Sequence, residues 1–160
     1  MRAVLVNADD DFRSRTLWQL ERWSSEREEG DGNWRAKVPV FLTEVWPRQI
    51  KAKSPRITAR LCDLAFSNAA AFPEIADIIM PLVTKSDREH LWLGHLMESE
   101  SNVIDKFPEK MLALLSAVLP ENVEVWPYDI EGVLERIGIA DPSLLKDPRL
   151  VELKRRWNAR

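Results

Sequence analysis

Apolar residues in this chain recur every three or four positions, and most of the stretches that show this spacing open on a proline. The spacing places them on one face of an α-helix. A proline at the first helical position costs no hydrogen bond there, because that N–H has no intrahelical partner. Ser54-Pro55, Phe72-Pro73, Phe107-Pro108, Asp141-Pro142 and Asp147-Pro148 therefore read as helix openings, with Ser54, Asp141 and Asp147 able to cap through their side chains. Behind Pro55, Ile57, Leu61, Leu64 and Ala65 share a face, and Asn68 is a stop signal. Ser86-Asp87-Arg88-Glu89 has the form of a capping box ahead of an apolar set Leu91, Trp92, His95 and Leu96. Ile130, Val133, Leu134 and Ile137 make a stripe behind Pro127. Leu150, Leu153 and Trp157 make another, with Lys154, Arg155 and Arg156 in its closing turns, where cations suit the helix dipole. Near the start, Asp9, Asp10 and Asp11 supply cap and dipole partners for a helix carrying Phe12, Leu17, Leu20 and Trp23.

Period-two alternation is scarce. Residues 3–6 and 123–125 are the only short beta-like runs, and neither has a hairpin turn beside it. The pattern predicts an all-α domain of seven to nine helices, stacked as antiparallel hairpins in an α-solenoid-like array or an irregular bundle. At 160 residues the length fits one domain. It divides into a helical segment over 1–29, a loop over 30–34 within a Glu-, Gly- and Asp-rich interval, and a body over 35–160.

Two short strings recur. Glu44-Val45-Trp46-Pro47 returns as Glu124-Val125-Trp126-Pro127. Proline steers the residue before it away from helical angles, so each copy marks a helix boundary. The first copy closes a helix over 40–46; the second follows the loop Pro120-Glu121-Asn122 and opens a helix at Pro127. Phe72-Pro73-Glu74 returns as Phe107-Pro108-Glu109, thirty-five residues on, with Ile79, Met80 and Val83 matched by Leu114, Leu115 and Val118. A period of this size with two helices per unit is what stacked helical hairpins show. In this respect the chain resembles HEAT-like and other α-solenoid repeats.

The composition is that of a folded chain: 45% hydrophobic and 31% charged residues, with a net charge of −3. Seven tryptophans set against one tyrosine and five glycines call for a core or an interface built on large rings. Charge is unevenly placed. Between residues 35 and 60 Glu44 is the only acid, against Arg35, Lys37, Arg48, Lys51, Lys53, Arg56 and Arg60, while residues 61–135 are strongly acidic. Phosphates favour such a basic stretch, and exposed rings such as Trp34 and Trp46 would stack on bases. Arg48, Lys51, Lys53, Arg56 and Arg60 are accordingly the candidates for an anionic partner, nucleic acid included. Trp46 and Trp126, at helix edges beside prolines, are candidates for half-exposed interface anchors.

Catalytic chemistry has little to stand on. His90 and His95 are five apart and so lie well around a helix from each other, unlike the His-x-x-x-His pair that clasps zinc. Cys62, the single cysteine, falls inside an apolar stripe, where an inert buried thiol is expected. There is no nucleophile elbow, phosphate-binding glycine loop or dinucleotide fingerprint. The expectation is a non-enzyme with no catalytic, cofactor or metal site and no small-molecule substrate. It is expected to act through a protein partner or self-association, with nucleic acid as the alternative. One cysteine, no signal-like start and no apolar run of membrane length place it in the cytoplasm, away from membranes.

The run from Phe41-Leu42 through Val45-Trp46-Pro47, Phe72-Pro73 and Pro108-Glu109 to Leu112-Ala113-Leu114-Leu115 resembles the helical C-terminal region of large bacterial multidomain proteins. Several of those are associated with phage defence. The resemblance covers about residues 35–160. It implies a scaffold or regulatory solenoid whose enzymatic domain lies outside this chain.

Overall fold

The computed structural model describes residues 1–25, 33–47, 54–67, 69–83, 85, 91–93, 96 and 102–160, with the side chains of 24, 25 and 33–36 left aside. Among the described residues the fold is all-α, with nine α-helices and no strand. These are α1 (Arg2–Asn7), α2 (Asp10–Ser25), α3 (Asn33–Val40), α4 (Pro55–Phe66), α5 (Phe72–Ile79), α6 (Val103–Lys106), α7 (Pro108–Val118), α8 (Ile130–Ala140) and α9 (Pro148–Asn158). A π-helical turn, Phe41–Val45, prolongs α3, and 3-10 turns occupy Val123–Val125 and Pro142–Lys146.

The proline openings behave as their chemistry dictates. The Ser54 hydroxyl accepts from the Arg56 amide at 3.3 Å, Asp141 from Ser143 at 3.0 Å and Asp147 from Arg149 at 2.8 Å. Pro73 and Pro108 start α5 and α7 without a side-chain cap. Asp9 caps α2 by accepting the Phe12 amide at 2.8 Å. Residues 3–6, beta-like in isolation, are helical in α1. Arg13 explains part of this, since it donates to the carbonyls of Leu5 (2.9 Å) and Val6 (3.0 Å), which a helix C-terminus leaves unsatisfied. Of the loop assigned to 30–34, residues 33 and 34 belong to α3, and 30–32 lie outside the described residues.

The two Glu-Val-Trp-Pro copies play one role, not two. Trp46 ends the π turn, donating its amide to the Phe41 carbonyl at 2.9 Å, and Trp126 ends a 3-10 turn, donating to Val123 at 3.1 Å. Both then turn extended, with ψ of 136° and 156°. The second copy therefore does not open a helix: α8 starts at Ile130, beyond Pro127-Tyr128-Asp129.

Residues 91–93 correct another expectation. They are not helical; Leu91 and Leu93 are buried on either side of an exposed Trp92, and the Leu91 amide donates to the Val125 carbonyl at 2.8 Å. The capping box at 86–89, His90, His95 and the stop at Asn68 lie outside the described residues.

One hydrophobic cluster runs from Leu5 to Trp157. α4 is its most enclosed helix, buried on nearly every side and packed against α2 and α5. α5 meets α7, and α6, α7, α8 and α9 pack on one another. Phenylalanines join these two groups: Phe72 stacks on Phe66 (6.2 Å between centroids) and on Phe107 (6.1 Å). The paired Phe-Pro-Glu openings thus meet ring to ring, and Lys110 of α7 adds a 2.7 Å ion pair to Asp77 of α5.

Candidate interaction surface

Trp46 and Trp126 are not half-exposed anchors; they are 3% and 1% exposed. The cause is tertiary: burying so large an apolar ring is favourable wherever a neighbouring surface arrives to cover it. Trp126 lies against Trp157 with centroids 6.2 Å apart and planes 15° apart, and its indole N–H donates to the Pro120 carbonyl at 2.8 Å. Arg156 sits 5.0 Å from the Trp126 ring and also donates to Pro120, at 2.7 Å, while Arg160 lies 3.6 Å from the Trp157 ring. This Arg–Trp–Trp–Arg stack fastens α9 to the 120–126 segment.

Of the anionic-partner candidates, Arg48, Lys51 and Lys53 lie outside the described residues. Arg60, partly exposed, is committed to carboxylates of its own chain. Its guanidinium sits 3.5 Å from Glu21 and 3.7 Å from Asp63, two carboxylates buried along the α2–α4 seam. A charge held between buried carboxylates is a poor recruiter of phosphate, because withdrawing it would leave them uncompensated. Arg56 pairs with Asp11 at 2.8 Å, but both side chains are largely exposed, so that pair can be remade with other partners.

Glu21 and Asp63 are buried carboxylates that periodicity alone did not single out. A signal existed: Asp63 interrupts Leu61-Cys62-Leu64-Ala65, and Glu21 sits one turn after Leu17. Cys62 is fully buried next to Asp63. Burial, and secondarily the charge of Asp63, push its thiol far above the ordinary range, which leaves it unreactive. No group of three or more His, Cys, Asp or Glu among the described residues could hold a metal ion, and no described helix is long and apolar enough to cross a membrane.

The surface that stands out is the outward side of α2. Ser14, Leu17, Leu20 and Glu21 face inward. The opposite side carries Phe12, Trp18 and Trp23, which are 40%, 39% and 46% exposed. Arg15 and Arg22 flank Trp18 at helical spacing, and the Arg22 guanidinium lies 5.6 Å from the Trp18 ring. Arg15 reaches the Asp11 carbonyl at 3.4 Å and no carboxylate among the described residues. Large rings beside arginines, with few competing lysines or glutamates, are the composition that protein interfaces favour.

No family model matches the chain, and no solved structure matches it. It is similar, at 24% identity over 155 residues, to the "Uncharacterized protein y4cA" of Sinorhizobium fredii. That match takes in 96% of this chain and 13% of the relative, so the chain spans about an eighth of that protein's length.

Proposed function

We propose that this chain is a non-catalytic, protein-interaction helical domain that serves a scaffold or regulatory role within a larger bacterial assembly. The observation that carries the proposal is the outward face of α2, where three aromatic rings and two arginines stand partly in solvent while Ser14, Leu17, Leu20 and Glu21 of the same helix are committed to the core. Leaving such rings exposed forfeits burial worth roughly 2 kcal/mol each, a cost that a partner recovers. The relative of about eightfold greater length is in keeping with a module carried in a longer protein. The unreactive Cys62 and the internally neutralised Arg60 agree with a role in packing rather than chemistry.

The test is a double variant, W18A/W23A, in the intact chain. Its far-UV circular dichroism and melting temperature should match the parent, while self-association or binding to a co-purified protein is lost. A parent chain that neither associates with itself nor retains any protein contradicts the proposal. So does salt-sensitive retention of single-stranded DNA that disappears in R15A/R22A, which would make the face a nucleic-acid surface.

A further inference from the structure

Resting on the reading of α2 as an interaction surface, we infer that its partner is a second copy of the chain, paired α2 to α2 in antiparallel register about a two-fold axis near residue 17. The outward side of α2 consists of two adjacent rows at helical spacing, Asp11-Arg15-Trp18-Arg22 and Phe12-Gln19-Trp23. The helix is electrically asymmetric along this face: Asp11 stands in its first turn and Arg22 in its last. A parallel pair would set Asp11 against Asp11 and Arg22 against Arg22. An antiparallel pair does the reverse. It sets Asp11 of each copy against Arg22 of the other, Arg15 against Trp18, and Phe12 against Trp23. Each contact occurs twice, as a two-fold interface requires.

The contacts are chemically matched. Arg15 lacks a carboxylate among the described residues and meets an indole face, a cation–π arrangement. Phe12 and Trp23 meet edge or face as aromatic pairs do. Asp11 is bonded to Arg56 through one oxygen in an exposed pair, which leaves the other for Arg22 of the second copy. The eleven helical steps from Asp11 to Arg22 span roughly 16 Å, so the two ion pairs close both ends of a short aromatic strip. The antiparallel arrangement also opposes the two helix dipoles.

Sedimentation equilibrium of the full chain tests this, with circular dichroism as the folding control. The parent should sediment with twice the mass of one chain. D11R alone sets like charges opposite Arg22, and R22D alone sets them opposite Asp11, so each should sediment as a monomer. An equimolar mixture of D11R and R22D should recover the doubled mass, because in the mixed pair both ends become oppositely charged again. W18A/W23A, which keeps every charge, should also be monomeric, and it covers the case in which D11R disturbs the start of α2. A parent that stays monomeric to millimolar concentration overturns the inference. The proposed function survives that result if Trp18 and Trp23 are needed to bind another protein. Single variants that remain dimeric, or a mixture that remains monomeric, overturn the antiparallel register.

Discussion

Replacing Trp126 by alanine separates a core tryptophan from an interface anchor. The ring is 1% exposed, stacked on Trp157 and covered by Arg156. Removing such a side chain from a packed interior costs about 3–5 kcal/mol. The indole hydrogen bond adds little to that figure, because Arg156 continues to satisfy the Pro120 carbonyl at 2.7 Å and no buried acceptor is orphaned. About 4 kcal/mol is therefore expected from a domain whose whole stability is of order 5–15 kcal/mol. W126F keeps most of the apolar area and the stack, and loses one hydrogen bond and some volume, for about 1–2 kcal/mol. Equilibrium urea unfolding followed by far-UV circular dichroism reads both, the midpoint shifting while the slope stays constant. A loss below about 1 kcal/mol for W126A would refute the burial argument and return Trp126 to the surface. Equal losses for W126A and W126F would show that the Pro120 bond dominates and ring burial does not.

Two further outcomes are expected. G138A should leave stability unchanged or raise it by up to about 1 kcal/mol through helix propensity. The new methyl falls 2.6 Å from the Leu145 Cδ2 of a half-exposed, rotatable side chain that can swing aside, so a loss above about 1 kcal/mol in a thermal melt would show Leu145 to be pinned. The second outcome concerns acid. Arg149 holds the Asp147 carboxyl down at about 2 from 3.8, and Arg136, bonded to both oxygens of Asp105 at 2.6 and 2.8 Å, holds that carboxyl below its usual range too. Depressed folded-state values contribute stability that is complete above the unfolded value and lost as pH falls through the folded one. The urea midpoint should therefore decline as pH drops from 3.8 towards 2, and less so in D105N/D147N, where the asparagine at 147 still caps α9. An unchanged acid slope in that variant would remove these two pairs as the cause.

Local chemistry carried the helical reading far. Proline, serine and aspartate fix where a helix starts within a residue or two, and all five proline openings begin helical segments. Stripes such as Ile130, Val133, Leu134 and Ile137 name their own buried face, because periodicity is a property of the segment and needs no partner. The reading failed where the outcome depended on what else lay nearby. Residues 91–93 have a helix-like pattern, yet Leu91 spends its amide on Val125, a bond across more than thirty positions that no local window contains. Glu124-Val125-Trp126-Pro127 signals a boundary correctly, but its direction waited on the Pro120 carbonyl and Trp157 that receive the ring.

Taken by itself, the sequence determined that this protein is all-helical, where most of its described helices begin, and which apolar residues form the inner sides of α4, α8 and α9, but not of α2, whose Phe12 and Trp23 face outward. Tertiary structure decided which tryptophans are core and which are surface. Trp46 and Trp126, beside prolines, are enclosed, while Trp18 and Trp23, in an ordinary helical pattern, face outward. It also decided that Arg60 neutralises two buried carboxylates. The reason is that period and capping act over a few residues, whereas burial and pairing depend on which distant surface arrives. α4 and α3 packed against α2, and Phe12, Trp18 and Trp23 were left partly in solvent.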